Sequence, residues 1–488
     1  EECGRCWAMS LVYSGPFKGE AARDQYQQTR LQMGVDDEQF SYPLAPGELF
    51  CAPEVVMTFS HGGFDELSDN LHRCIRTRVC RGPWRDRRRP VLINSWEAFY
   101  FDFDGDRIVE FAMRAKKLGI ELLVLDDGWF GNRCDDNRAL GDWQGNEDKL
   151  HGTLGELVSA INDVGMQFGI WMEPEMVSED SALYRAHPDW AFVVPGRKPT
   201  LGRNQLVLDL SRKEVADCIF DQICAVLDQA PIAYLKWDFN RVITDVYSRT
   251  AADQGKVLYD YILGLYGVLE RVNERYPQLL VEGCAGGGGR FDAGMLYYTP
   301  QVWCSDNTDA LDRLYIQHGT SFGYPCSAVG AHVAACPNET TGRVTPFSTR
   351  AVVAEAGLFG YELDLKILPD ATREKVREQV AWHKRIAPLV LKGRYHRLAD
   401  PSTDPLCAWE HVSEDRSLAL VSAVVHRSHG YGITRYVVPR DLASGACYRD
   451  AVRGDVYDAD ALMEMGIPLH IGMKAGDYRS FTFLLERL

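Results

Sequence analysis

Residues 231–241 read PIAYLKWDFNR, an apolar run broken by Lys236 and Asp238. Side chains alternate between the two faces of a strand, so Lys236, Asp238 and Asn240 would share one face and Leu235, Trp237 and Phe239 the other. Other apolar runs end in the same way: ELLVLDDGW at Asp126 and Asp127, FGIWMEPE at Trp171, Glu173 and Glu175, LLVEGC at Glu282 and Cys284, VWCSDNTD at Asp306 and Asp309. Trp96, Trp129, Trp171, Trp237 and Trp303 accompany them. One carboxylate at a strand end is a helix cap or a turn residue. A succession of them points to chemistry. Carboxylates bond hydroxyl groups while indole faces cover the apolar side of a sugar ring, and glycoside cleavage needs two carboxyl groups flanking one bond.

Two rival chemistries fit the pattern less well. A carboxylate cluster suits Mg²⁺, Ca²⁺ or Mn²⁺, but neither an EF-hand loop nor HExxH is present, and Lys236 beside Asp238 opposes a cation. GTSFG at 319–323 matches G-x-S-x-G formally. That motif requires a turn between strand and helix, whereas helical DALDRLYIQH precedes it and Tyr324-Pro325 follows.

The elements needed to converge these residues are legible as alternation. From about 90 to 335, strand candidates PVLINSW, IELLVLDDGWF, QFGIWMEPE, QLVLDLS, IAYLKWDFN, LLVEGC, QVWCSDN and TSFGYPCSAVG are separated mostly by helical stretches such as DRIVEFAMRAKKLG and RKEVADCIFDQICAVLDQA. Repeated strand-then-helix units predict an α/β fold with a parallel sheet, and this number of strands predicts a (β/α)₈ TIM barrel whose site lies at the C-terminal strand ends. A doubly wound sheet would carry a glycine-rich turn after its first strand, and PVLINSWEAFYFD has none. CAGGGGR at 284–290 follows a strand without opening a clean amphipathic helix; it reads as backbone approached closely by a ligand or as a flexible loop. Residues 345–390 read as helical, and SLALVSAVVHR, GITRYVVP and YRSFTFLLERL as an antiparallel β domain.

Length and composition set the bounds. A chain of 488 residues exceeds one core, so several domains are expected: 1–85, a partial N-terminal β-sandwich remnant with a connecting helix; 86–400, the barrel; 401–488, the C-terminal β domain. With 69 acidic against 53 basic residues, the charge of −16 argues against a nucleic-acid partner. RGPWRDRRRP at 81–90 reads as a linker or solvated turn. No run is long enough to span a bilayer. The fourteen cysteines lack regular spacing apart from Cys3-x-x-Cys6 and read as free, mostly buried thiols in a reducing, cytoplasmic compartment. The chain opens without Met, so its natural N-terminus is expected upstream.

NSWEAFYFDF, LLVLDDGWF, GIWMEPEMVS, YLKWDFNR, CAGGGGRFDAGM and CSDNTDALDRLYIQHGTS together resemble glycoside hydrolase family 36, the retaining α-galactosidases. Cys326 stands where that family usually has proline, and Phe99 where it has threonine. The resemblance implies an N-terminal β-supersandwich, a barrel and a C-terminal β domain, assembly as a homo-oligomer, and no cofactor or metal. It implies Asp238 as nucleophile and Asp306 as acid/base. Asp126 and Asp127 are implied to hold the galactosyl 4- and 6-hydroxyls, with Trp96, Trp171, Arg203, Lys236, Asn240, Cys284 and Gly286 also binding the sugar. Lys236 should then keep Asp238 ionised, Asp306 should be held protonated by nearby carboxylates, and the two carboxyl groups should stand about 5–5.5 Å apart. The implied substrates are α-galactoside oligosaccharides of the melibiose and raffinose type. Alternatives are an α-N-acetylgalactosaminidase, a galactosyl-transferring relative and a non-catalytic sugar binder; Cys284 and the glycines after it crowd the sugar 2-position, which favours galactose.

Overall fold

The computed structural model describes residues 3–430, 434–472 and 476–488. Its centre is a closed barrel of parallel strands in chain order: Leu92–Asn94 (β1), Leu122–Leu125 (β2), Gln167–Met172 (β3), Ile232–Trp237 (β4), Leu280–Gly283 (β5), Gln301–Trp303 (β6), Val329–Ala334 (β7) and Leu358–Glu362 (β8). The alternation of each strand divides its side chains between two cores. Ile93, Leu123, Leu125, Ile170, Leu235, Trp237 and Val281 pack outward with the helices. Leu92, Leu122, Val124, Tyr234 and Leu280 form a separate cluster in the lumen, against Trp84. Along β4 the lumen face therefore runs from Tyr234 to Lys236, apolar at the floor and charged at the mouth.

Two strands differ from the sequence expectation. QLVLDLS supplies no stave; Leu206–Val207 pairs antiparallel with Met176–Val177 as a short ribbon beyond β3. Its residues are buried and apolar, and periodicity alone does not separate a stave from a buried ribbon. The missing stave is β8, inside the stretch expected to be helical, where five residues lie between helices Phe347–Ala354 and Asp370–Lys392. The seventh stave also starts later than TSFGYPCSAVG suggests, at Val329.

The basic stretch 81–90 is the barrel floor and not a solvated turn. Trp84 closes the lumen cluster. Arg89 is buried and donates to Gln301 Oε1 at 3.0 Å and to the Pro300 carbonyl at 3.3 Å. Arg88 pairs with Glu121 at 2.8 Å. Arg88 and Arg89 thus spend their charges at the N-terminal strand ends, while Gly82, Asp86 and Arg87 stay exposed.

Before the barrel, Cys6–Leu11 pairs with Val55–Ser60 and Phe17–Arg23 with Thr29–Val35, followed by helix Gly63–Cys74. After it, an antiparallel sheet built from Arg394–Ala399, Leu406–Val412, Leu418–Val425, Arg479–Arg487, Cys447–Asp450 and Val456–Asp458 encloses its own core. Of the GITRYVVP strand, Thr434–Val437 pairs with Ile467–His470, while Gly432 and Ile433 lie outside the described residues. The cysteines are free, as expected, but only Cys80, Cys224, Cys284, Cys304, Cys326 and Cys407 are buried. Among the described residues no helix is long and apolar enough to cross a membrane.

Candidate active site

The C-terminal ends of the staves surround a cavity of about 330 Å³ lined by Trp96, Glu97, Tyr100, Asp126, Asp127, Trp171, Arg203, Lys236, Asp238, Asn240, Trp303, Asp306, Thr308, Glu339, Thr340 and Glu362. That is the small end of the range for ligand pockets, ~300–1,000 Å³, and the lining is dominated by groups that bond hydroxyls.

Asp238 follows the last residue of β4 and is buried. Its Oδ2 accepts from Trp171 Nε1 at 3.0 Å and Asn240 Nδ2 at 2.7 Å, and its Oδ1 from the Phe239 amide at 2.8 Å. Burial raises its pKa, but the Lys236 charge, the Cys284 thiol and these donors outweigh burial and hold it below the ordinary aspartate value. Lys236, two residues back on the lumen face, donates to Asp126 Oδ2 at 2.8 Å. Desolvation opposes its charge, yet Asp126, Glu362 and Asp238 keep it protonated.

Asp306 lies three residues beyond β6 and is the exposed member of the pair. Partial desolvation, the Asp238 charge and the Glu362 charge raise its pKa against the opposing Lys236 charge and the Trp303 N–H. One carboxyl is held ionised and the other is biased towards its acid form, within a single cavity.

The remaining expected residues divide by position. Asn94 Nδ2 reaches Asp126 Oδ2 at 2.7 Å, while Asp127 is clamped by Arg133 at 2.8 Å. Trp96 and Trp171 line the cavity. Arg203 reaches it from the ribbon beyond β3, where Arg203 and Asn204 both have positive φ (50° and 62°) in a turn closed by the Gln205 amide on the Gly202 carbonyl at 3.1 Å. Non-glycine residues in that region are strained. Cys284 and Gly286 are not among the lining residues. Cys284 is buried behind Asp238, its pKa pushed well up by desolvation and by Asp238, so it acts as a neutral thiol donor. Gly286 has φ +53°, and a Cβ there would meet nothing nearer than Asn240 Oδ1 at 3.9 Å.

The glycine run is neither a flexible loop nor, over most of its length, a ligand cradle. A Cβ on Gly287 would stand 2.6 Å from the Asp306 amide nitrogen, one on Gly288 2.3 Å from the Cys304 carbonyl, and one on Gly289 2.6 Å from the Ala285 carbonyl. Gly287 and Gly288 let two strand-end loops touch, backbone to backbone, and Gly289 lets its own loop fold back on Ala285. Arg290 then ties the run to buried Glu175 at 2.6 Å, and Glu175 also accepts from Trp237 Nε1 at 2.8 Å.

Several polar strand ends have other work. Asp309 caps helix Ala310–Thr320 through the Leu311 and Asp312 amides. Glu282 accepts from Gln301 Nε2 at 2.8 Å inside the barrel. Trp129 and Trp237 are fully buried. Ser321 of GTSFG donates to the His318 carbonyl at 2.7 Å, past the end of its helix. Among the described residues no group of three or more His, Cys, Asp or Glu side chains is arranged to hold a metal ion.

Residues not foreseen from sequence complete the wall. Glu362 ends β8, where it accepts from His332 Nδ1 at 3.1 Å and Asn94 Nδ2 at 3.3 Å. Glu97 accepts from the Thr308 hydroxyl at 2.7 Å; desolvation and the Glu362 charge push its pKa up to about 8. Glu173, already singled out by its place after β3, lies outside the lining beneath Asn240 and is also pushed up to about 8, by burial and by Asp238. The acid after LFGY was the available signal for Glu362.

A family model described as melibiase matches residues 49–393, flanked by the glycosyl hydrolase family 36 N-terminal domain at 1–45 and C-terminal domain at 406–485. The bifunctional alpha-galactosidase/sucrose kinase AgaSK of Mediterraneibacter gnavus is 56% identical over 488 residues, covering 100% of this chain and 51% of that protein. Alpha-galactosidase AgaA of Geobacillus stearothermophilus is 47% identical, covering 99% of this chain and 66% of that protein. A solved structure of an AgaA variant in complex with raffinose superposes with a TM-score of 0.98 at 46% identity, over 100% of this chain and 68% of that one. The chain thus spans between 51% and 66% of the length of these two curated relatives.

Proposed function

Because the chain belongs to the melibiase family of glycoside hydrolase family 36, we propose that its barrel is a retaining α-galactosidase acting on terminal α-galactosyl residues of raffinose- and melibiose-type oligosaccharides. The observation that carries this reading is the pair Asp238 and Asp306 in one cavity, with their acidities moved in opposite directions. The raffinose complex of AgaA supports the substrate class.

In the first step Asp238 attacks the anomeric carbon. The glycosidic C–O bond breaks towards oxygen, and that oxygen takes the Asp306 proton. In the second step Asp306, now a carboxylate, takes a proton from water as the water oxygen displaces Asp238, and the sugar leaves with its configuration retained. Asp126 and Asp127 accept from sugar hydroxyls, Lys236 and Asn240 donate to them, and Trp96 and Trp171 cover the ring. Arg203 closes over the open side. Cys284 acts from behind Asp238, donating its thiol to that carboxyl group.

Hydrolysis of p-nitrophenyl α-galactoside by the wild type and by Asp238→Ala tests the reading. The expected result is wild-type turnover and a loss of at least about a thousandfold in kcat for the variant. Equal rates would remove Asp238 from the mechanism.

A further inference from the structure

Trp303 sits at the end of β6, three residues before Asp306, and its indole Nε1 donates to Asp306 Oδ1 at 3.0 Å. The indole is 2% exposed and its direction is set from two neighbouring elements. From β7, the His332 ring lies 4.4 Å from the indole, centroid to centroid. That imidazole is itself fixed by Glu362 of β8 at 3.1 Å. From the following helix, the Arg313 guanidinium lies 4.4 Å from the indole centroid. Arg313 also staples the loop that carries Asp306, donating to the Ser305 carbonyl at 2.7 Å, the Asn307 carbonyl at 2.8 Å and the Gly330 carbonyl at 3.0 Å.

We propose that Trp303 is a positioning residue for Asp306: held by His332 and Arg313, its N–H fixes the carboxyl group towards the cavity and stabilises the ionised form left after proton donation. Asp306 is the exposed carboxyl of the pair and accepts this bond at one oxygen, so the other is left to face the leaving group and then the incoming water. The N–H offsets the surrounding negative charge. Asp238 from β4 and Glu362 from β8 disfavour the carboxylate, Lys236 from β4 favours it, and the Cys284 thiol stands nearby after β5. Without the donor, Asp306 would release its proton less readily and would be a less well aimed acid. The inference rests on the acid/base role proposed for Asp306.

Trp303→Phe keeps an aromatic ring between its neighbours and removes only the donor and the second ring. The expected result is a basic limb of the kcat/KM–pH profile moved upward by about half a unit to one unit, since a lost bond to a carboxylate raises its pKa. A second expected result is a loss of about tenfold in kcat on melibiose, whose leaving group needs protonation, against about twofold or less on p-nitrophenyl α-galactoside, whose leaving group does not. His332→Phe, which cuts the tie to Glu362, should shift both readouts in the same direction by less and serves if Trp303→Phe does not fold. An unmoved limb with equal losses on both substrates would overturn the proposal. Failure of the underlying reading looks different: the wild type, or Asp306→Ala relative to it, would show no leaving-group dependence at all.

Discussion

At the residue scale, the lysine inside the apolar run of β4 is a counter-charge for four carboxylates. It contacts Asp126 at 2.8 Å and its charge also acts on Asp238, Asp306 and Glu362. Removing one partner of a buried ion pair strands the other charge, at a cost of roughly 3–5 kcal/mol. Lys236→Met should therefore lower stability and raise the Asp238 pKa. Asp238 must be ionised to attack, so a raised pKa means lost activity at low pH, and the acid limb of the kcat/KM profile should move upward. A variant whose acid limb coincides with that of the wild type would refute this account. The lysine, the paired aspartates and both proposed catalytic carboxyls were visible in the sequence because each interrupts or terminates an apolar run. Glu97 and Glu362 were not, since one follows a tryptophan in a short helical turn and the other ends a strand that was not recognised.

At the element scale, the glycine run is part of the active-site architecture by contact. Gly287 has φ +84°, and a Cβ there would collide with Ser305 and with the Asp306 amide. Backbone cannot swing away as a flexible side chain can, so Gly287→Ala should displace the loop that carries Asp306. We expect a loss of ten- to a hundredfold in kcat, the order of effect that a displacement of about 1 Å produces, together with a lower Tm. Gly286→Ala has open space at its Cβ and should cost only the left-handed backbone penalty of about 1–2 kcal/mol. Melting curves and kcat measured for both variants check this; equal behaviour of the two would contradict it. Composition announces a run of glycines but not its reason, because the atoms facing Gly287 belong to residues nearly twenty positions away.

At the scale of the whole molecule, the C-terminal sheet is tied to the chain before the barrel through a buried ionic cluster. His396 on Arg394–Ala399 contacts Asp65 of helix Gly63–Cys74 at 2.7 Å and Asp441 at 3.6 Å. Burial opposes the imidazolium, but Asp441, Asp65 and Glu410 outweigh it and raise the pKa from 6.5 to about 10. A pKa raised on folding contributes stability that is fully present below the unfolded value and is lost as pH rises through the folded one. Stability should therefore decline between pH 6.5 and about 10, and His396→Gln should flatten that decline. Denaturant unfolding at a series of pH values reads the slope; parallel curves for variant and wild type would show that the cluster carries no linked proton.

Taken alone, the sequence determined the barrel class and the polar strand ends, since strand alternation and apolar patterning are local properties that survive in one dimension; which two of those carboxyls to propose for catalysis came from the resemblance of its motifs to family 36. Only the tertiary structure decided which strand ends share a cavity, that QLVLDLS is a ribbon and LFGYE the eighth stave, that the basic stretch is the barrel floor, and that the glycines serve a backbone contact. The acidities of Asp238 and Asp306 are of the same kind. Two aspartates of identical intrinsic chemistry are set apart by burial and by charges drawn from separate staves, and that assignment exists only once the barrel closes.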